Sequence, residues 1–200
     1  MRRALFRFDE HTVKGMYYTG MRAAFKEWAV VCEALGAGLQ SVIIRKGGIA
    51  EGRAGFAFRH NEFLLFPTWF HEQVEKTTLP PETRVPEEPG EEMELRYTAK
   101  VEWSGVLTDW ERVARLREFH VLRESVVEER YRYNDSQGVH VAFVRVYRLE
   151  PPLRLKNEKK YGGCRSWIDL PDIEGRVLVS VISDEEHLRR KKLLDQVLGL

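Results

Sequence analysis

The chain has 200 residues, of which 43 % are hydrophobic and 32 % charged, and its formal net charge is +1. This length suffices for one domain with a sizeable core. The small net charge argues against a histone-like protein but permits a local basic patch. Cys32 and Cys164 are too few for a disulfide framework or an all-cysteine zinc site. Since no apolar run reaches membrane-span or signal length, we expect a cytoplasmic protein without membrane contacts.

The first quarter of the chain predicts a helix followed by a strand. Residues 22–37 carry apolar side chains three or four positions apart, with charges between them, which is helical spacing. Gly36 and Gly38 are expected to end this helix. Residues 41–45, with the apolar Val42, Ile43 and Ile44 at their centre, then predict a buried strand.

Two further strands are predicted before residue 70. The glycine-rich stretch 47–61 predicts a loop that contains a short strand at 55–59. Residues 62–66 predict a second strand, which the following Phe-Pro-Thr is expected to break and turn back.

A proline-rich segment divides the chain. Residues 77–92 hold four prolines among acidic side chains, a composition that predicts an exposed, irregular connection. We expect a single domain over 1–200, and the same segment allows a division into subdomains 1–76 and 93–200.

The second half alternates strand and helix signals. Residues 93–103 alternate apolar with charged or polar side chains, which predicts a strand with one face exposed to solvent. Two more strands are predicted, at residues 139–149 and 176–182. Capping-box spacing predicts three helix starts. The pairs are Thr108 with Glu111, Ser125 with Glu128, and Ser183 with Glu186. The irregular order of strands and helices favours an α+β fold with a mixed or antiparallel sheet and flanking helices.

A basic turn follows the strand at 41–45. Arg45 and Lys46 precede Gly47 and Gly48, so two cations and two unobstructed backbone amides could face a phosphate. The spacing matches neither a Walker loop nor a dinucleotide fingerprint. A solvated turn with basic side chains outside it is the alternative interpretation.

His60, Glu62 and His71 are the candidates for acid–base catalysis or for a divalent metal. His60 and Glu62 would share one face of a strand, because side chains on a strand alternate. His71 would join them if the chain turns back after residue 66. The alternative is that both histidines are hydrogen-bonded at strand ends. No cofactor is evident from the sequence.

The segment 161–167 combines aromatic, glycine and arginine residues. Tyr161 and Trp167 are suited to stack on a base, and Arg165 to contact a phosphate. Cys164 could act as a nucleophile with His60, His71 or His120 as its base, although no local signature supports this. A tight turn that anchors Trp167 in the core explains the segment equally well.

A cationic run lies on the last predicted helix. Residues 189–192 are all arginine or lysine, which suits a nucleic-acid patch. The wet face of a terminal helix is the commoner explanation for such a run.

Several segments together resemble a known family. They are KEWA at 26–29, IRKGGI at 44–49, FLLFPT at 63–68 with His71, VYRL at 146–149 and YGGCRSW at 161–167. These segments resemble the bacterial family of domains of unknown function numbered 1802, over roughly residues 22–170. One departure is Glu72-Gln73, where the family pattern has glutamine directly after the histidine. The resemblance implies no activity, and the association of some members with restriction–modification genes points toward DNA.

The stretch 27–46 is also similar to an element of PUA-like and ASCH-type RNA-binding domains. That similarity implies a small mixed barrel with a basic cleft for a nucleobase or nucleotide, an inference by analogy.

Three hypotheses for the function remain open. The first is a nucleic-acid- or nucleotide-binding domain that uses Arg45, Lys46 and Arg165. The second is a metal-dependent hydrolase or nuclease, and the third is a non-catalytic scaffold module. The sequence does not decide between DNA and RNA, and it gives no oligomeric state.

Overall fold

A computed structural model describes residues 16–18, 21–46, 56–133, 137–173 and 175–200, and all structural statements refer to these. The strands are β1 (Met16–Tyr18), β2 (Met21–Trp28), β3 (Val42–Arg45), β4 (Glu62–Thr68), β5 (Glu92–Leu107), β6 (Val139–Lys156), β7 (Trp167–Ile173) and β8 (Arg176–Ser180). The α-helices are α1 (Ala29–Gly36), α2 (Trp110–Ala114), α3 (Glu124–Arg132) and α4 (Asp184–Leu198). Short 3₁₀ helices cover Arg115–Phe119 and Lys159–Tyr161.

The strands form one mixed sheet. Its order is β1-β8-β6-β5-β4-β2-β7, and β3 pairs with β6 beside this path. The β2–β4 pair is parallel, whereas the other pairs are antiparallel. The predicted α+β fold with a mixed sheet and flanking helices is therefore confirmed.

The predicted helix over 22–37 is wrong in its first half, where the chain forms β2. This strand lies between β4 and β7 and is buried on both faces, from Ala23 through Glu27. A strand covered on both faces needs apolar side chains at consecutive positions, which removes the period of two that identifies an exposed strand. The helix begins only at Ala29.

The strand predicted at 62–66 is confirmed, but the break after it is not. β4 continues through Pro67 to Thr68, in parallel register with Glu27 and Trp28 of β2. Proline is tolerated because the ladder between β4 and β5 ends at Leu64, so Pro67 faces no partner strand there.

The loop before β4 contains no strand where it is described. Residues 56–60 are irregular, so the prediction of a strand at 55–59 is wrong for these positions, and residue 55 lies outside the described residues. Phe56 is buried and Phe58 half-buried, and both pack on Phe25. Aromatic packing, not a ladder, fixes this segment.

β5 and β6 are the two long strands of the sheet, and the predictions of strands at 93–103 and 139–149 are confirmed. Their register runs from Glu92 opposite Lys156 to Leu107 opposite Val139. The first half of β6 packs into the larger apolar core with β3 and the helices. The second half packs into a smaller core with β8 and the 3₁₀ helix that ends at Tyr161.

Two of the three predicted helix caps need correction. Ser183 accepts a hydrogen bond from the Glu186 amide (3.2 Å), so the predicted start of α4 is confirmed. The cap of α2 is Asp109, one residue after the predicted Thr108. Ser125 lies inside the first turn of α3, because that helix begins at Glu124.

The segment between β4 and β5 contains neither helix nor strand from residue 78 to residue 91, all of which are described. Most of its side chains are exposed, while Leu79 and Val85 pack against the larger core. Thr77 is fully buried and forms an isolated bridge with Leu122. The strands on either side of this segment share the one sheet.

In the described part of the chain, no helix combines the length and the apolar composition that crossing a membrane requires.

Candidate functional site

A buried carboxylate lies where β2 meets α1. The Glu27 side chain is 1 % exposed, and its Oε1 accepts a hydrogen bond from the Trp28 amide at 2.9 Å. Arg45, at the end of β3, places Nη1 3.6 Å from the same oxygen. A buried charge requires such a partner, because its hydration is lost on folding. Arg45 is therefore an internal counter-ion that joins β3 to β2.

A second arginine lies near this pair. Arg130 of α3 donates from Nη1 to the Ile44 carbonyl (2.6 Å), and its guanidinium lies 4.7 Å from the centre of the Trp28 ring. Burial lowers the pKa of Arg130 to about 10, so it remains a cation at neutral pH. Among the described residues, no carboxylate oxygen lies within 4.0 Å of the Arg130 guanidinium nitrogens, which is the distance limit for a salt bridge. Arg130 is thus a fixed positive charge whose attracting carboxylates, Glu27 first and then Glu129, lie beyond salt-bridge distance.

A groove opens beside Arg130. It has a volume of about 190 Å³. We call it the basic groove, and it is lined by Trp28, Lys46, Phe70, Lys76, Val126, Glu129, Arg130 and Tyr133. Counted over the described residues, it brings three cations and one carboxylate together with three aromatic rings.

The aromatic residues of the basic groove are unusually exposed. Phe70 is 37 % exposed and Tyr133 45 % exposed, although the core accommodates most other large apolar side chains. Phe70 meets Trp28 edge to face at 4.8 Å between ring centres. A fixed ring that keeps an open face is suited to stacking on a planar ligand.

Lys46 forms one side of the groove. Its Nζ donates to the Gly138 carbonyl at 2.9 Å, and burial lowers the pKa of this ammonium. The predicted phosphate turn is described only in part, since Gly47 and Gly48 lie outside the described residues. Its two cations diverge, because Arg45 points to Glu27 and Lys46 to the groove.

The segment 161–167 meets Arg45 through its last two residues. Arg45 Nη2 lies 3.5 Å from Ser166 Oγ, and the Phe25 ring contacts both the Arg45 guanidinium (5.4 Å) and the Trp167 ring (4.9 Å). Trp167 also donates its indole N–H to the Ala57 carbonyl and packs at 4.9 Å from His60. Arg45, Trp167 and His60 are thus brought together, with Trp167 held on several sides.

The other predicted ligand residues lie on the opposite face of β2. Consecutive residues of a strand point to opposite faces, so Lys26 and Glu27 face different sides of the sheet. Lys26 Nζ donates to the Gly163 carbonyl (3.0 Å), and burial followed by the charge of Arg165 lowers the pKa of Lys26. Tyr161 is buried there, 5.8 Å from the Phe66 ring. Arg165 and Cys164 are exposed.

The predicted catalytic residues do not lie together. His60 lies before β4 and Glu62 is its first residue, whereas His71 follows the strand. At about 3.3 Å per residue, this strand separates the two ends by about 20 Å. Glu62 lies 3.9 Å from Lys100 on the neighbouring strand. Within the described ranges, no group of three or more His, Cys, Asp or Glu side chains is placed to hold a metal ion.

Gln73 caps a helix. This side chain is buried, and its Oε1 accepts a hydrogen bond from the Val30 amide in the first turn of α1 (2.9 Å). Its amide group donates to the Phe70 carbonyl at 3.3 Å. Gln73 therefore ties the turn after β4 to α1, which holds Phe70 beside Trp28.

Three of the four cations at 189–192 are engaged in intrahelical pairs. Arg189 and Arg190 both bind Glu186 at 2.7 Å, and Lys191 binds Asp195. Arg190 also donates to the Gly38 carbonyl and to Ser41 Oγ, which docks α4 on the α1–β3 turn.

Sequence reasoning missed Trp28, Phe70, Lys76, Arg130 and Tyr133 as groove residues. Arg130 and Tyr133 are three positions apart on and just after α3, so they lie on one side of the helix. Phe70 could have been identified from the sequence as a candidate, because it is a large apolar residue placed after a strand and before a polar turn.

Comparison with known proteins gives a family and distant structural likenesses. The family model "Domain of unknown function (DUF1802)" matches residues 24–192. No curated protein matches the chain significantly. The ASCH protein of Zymomonas mobilis is similar at a TM-score of 0.45 and 10 % identity, covering 86 % of this chain and 94 % of its own. Two mutant forms of it give TM-scores of 0.45 and 0.46, at 12 % and 10 % identity, covering 86 % of this chain and 94 % and 96 % of theirs.

Proposed function

The chain belongs to the family of domains of unknown function DUF1802, and we propose that it is a nucleic-acid- or nucleotide-binding domain whose ligand occupies the basic groove. One observation carries this proposal. Among the described residues, the groove combines Lys46, Lys76 and Arg130 with two exposed rings, Phe70 and Tyr133, against a single carboxylate. Phosphate and a planar base are the two chemical groups that such a surface accommodates.

Each part of the groove has a defined role in this proposal. Lys46 and Lys76 contact phosphate oxygens, and Arg130 supplies a fixed positive potential from beneath. Phe70 and Tyr133 stack on a base from the two sides of the groove. Because stacking uses the face of the base and not its edge, we expect little sequence preference.

Arg45 takes a positioning role instead of the phosphate-binding role expected from the sequence. Its guanidinium pairs with Glu27, the carboxylate that also attracts Arg130, and so leaves more of the Arg130 charge to act on the groove. Tyr161, which lines a pocket on the opposite face of β2, and the exposed Arg165 remain candidates for binding a longer strand of nucleic acid that passes there.

We expect Lys46→Ala/Lys76→Ala to weaken binding of a labelled single-stranded oligonucleotide and to flatten its salt dependence. The slope of log affinity against log salt concentration is negative. Its magnitude should decrease by about 0.7, the value for single strands, for each phosphate that the variant no longer neutralises. Fluorescence anisotropy between about 50 and 200 mM salt measures this. The matched control is Lys156→Ala/Lys192→Ala, which removes two exposed lysines outside the groove.

Equal slopes for the two double variants would contradict the proposal. Cleavage of the oligonucleotide during the measurement, visible on a denaturing gel, would favour the hydrolase hypothesis instead. No binding of DNA, RNA or nucleoside triphosphate would favour the scaffold hypothesis.

We also expect Phe70→Ala to weaken oligonucleotide binding by about 1–3 kcal/mol, the usual contribution of one stacked base. The salt slope should stay unchanged, because the lysines that bind phosphate remain. The control Leu188→Ala removes another exposed apolar side chain, 58 % exposed and on α4. If Phe70→Ala binds as tightly as this control, the ring does not stack on the ligand.

A further inference from the structure

A second cavity shares none of the lining residues of the basic groove. It has a volume of about 210 Å³ and lies among α2, the 3₁₀ helix after it and α3. Its wall is mainly apolar, formed by Trp110, Val113, Ala114, Leu122 and Val127. Two polar side chains interrupt this wall, the buried imidazole of His120 and the hydroxyl of Thr78, which donates to the Val121 carbonyl.

The hydrogen bonding of His120 fixes its tautomer. The ring is only 8 % exposed, and Nδ1 accepts a hydrogen bond from the Leu122 amide at 3.1 Å. Burial, and then the charge of Arg130, lowers the pKa of His120 to about 4. The ring is therefore neutral at physiological pH and carries its proton on Nε2.

The Nε2–H of His120 has no acceptor among the described protein groups, and Nε2 is not one of the side-chain atoms closed off from solvent. Across the described residues, the only hydrogen bond of this side chain is the one that Nδ1 receives. Water can hydrogen-bond a donor that solvent reaches through a cavity, and a ligand in the cavity can replace that water with an acceptor of its own. The free edge of His120 is thus suited to orient a ligand that carries a hydrogen-bond acceptor.

The cavity suits an aromatic occupant of limited size. A dry apolar cavity of about 150 Å³ is large enough to hold benzene. The Trp110 ring packs on Tyr131 at 5.3 Å between centres, which fixes one wall. A charged ligand would lose its hydration against this wall and meet a neutral imidazole. Arg117 and Glu124, at the exposed rim, have opposite charges and favour neither sign.

We propose that this cavity binds a small, uncharged aromatic molecule that accepts one hydrogen bond from His120 Nε2, through a carbonyl oxygen or a ring nitrogen. The aromatic ring lies in the apolar part of the cavity, and the acceptor sets its orientation. This site does not depend on the function proposed for the basic groove, because the two surfaces have no residue in common.

Benzamide and toluene are the probes that test it. Both carry one benzene ring, but only benzamide has a carbonyl acceptor. Titration of the ¹⁵N-labelled chain should shift the indole N–H resonance of Trp110, identified with Trp110→Phe. We expect benzamide to bind at least about tenfold more tightly than toluene, a difference of about 1.4 kcal/mol. Equal affinities would overturn the proposal, since the cavity would then recognise only apolar volume.

Two variants separate the hydrogen bond from the cavity itself. His120→Asn keeps an acceptor for the Leu122 amide but lacks the Nε2 donor, so the preference for benzamide should disappear. Ala114→Phe fills the cavity and leaves His120 in place, so both probes should lose binding. Ala37→Phe, at an exposed position after α1, is the control and should bind as the parent does. Undiminished benzamide binding by Ala114→Phe would place the ligand elsewhere and overturn the proposal.

Discussion

Replacing Arg45 by alanine is expected to lower the free energy of unfolding by about 3 kcal/mol. The variant leaves the Glu27 carboxylate buried without its ion-pair partner. The folded state is then less stable, because the loss of hydration of that charge is no longer offset by the ion pair. The nearby Arg130 compensates in part, which keeps the destabilisation at the lower end of the range for broken buried pairs. Urea unfolding followed by circular dichroism measures the change.

The control for this prediction is Arg96→Ala. Arg96 binds Glu94 at 2.8 Å, but its side chain is 45 % exposed, so its removal should cost less than about 1 kcal/mol. Adding Glu27→Gln to Arg45→Ala should restore part of the stability, because an amide keeps the hydrogen bond to Trp28 without the charge. If Arg45→Ala and Arg96→Ala unfold at the same urea concentration, Arg45 is not an internal counter-ion.

Gly36→Ala should destabilise the protein by about 2 kcal/mol, although glycine to alanine in a helix is normally stabilising. An added Cβ at Gly36 would overlap the Tyr97 ring at its Cζ atom. The ring cannot easily withdraw, because its hydroxyl donates to Glu33 on the same helix at 3.1 Å. Glycine is required here by the close approach of α1 to β5.

A double-mutant cycle with Tyr97→Leu tests the cause. Leucine lacks the ring atoms that meet the new Cβ, so Gly36→Ala should cost far less in that background. Gly90→Ala is the matched control, because a Cβ there meets no atom within 4 Å. A cost for Gly36→Ala that is unchanged by Tyr97→Leu would show that the overlap between Cβ and the ring is not the reason.

The sequence predicted the sheet better than it predicted the start of the chain. One face of β5 is partly exposed to solvent, and the alternating pattern of its residues identified the strand directly. β2 has no wet face, so its apolar residues at 23–25 fit a helix equally well. β7, which pairs with β2, was missed because its part of the sequence carries a proline and acidic residues.

The candidate site was only partly predictable for a related reason. Arg45 and Lys46 were identified as adjacent cations, but Arg45 ends β3 and Lys46 follows it, and their side chains face different environments. Their real neighbours, Glu27 and Arg130, come from a strand and a helix far away in sequence. Only the folded chain shows that one cation is neutralised by a buried carboxylate while the other faces the groove.

The long β5–β6 pair has a consequence for how the protein unfolds. Both apolar cores rest on these two strands, the larger on one half of β6 and the smaller on the other. Neither core can open without disrupting the ladder that supports the other, so the two should melt as one cooperative unit. A destabilising substitution in the smaller core, for example at Leu149, should therefore also increase the rate of amide hydrogen exchange around the basic groove.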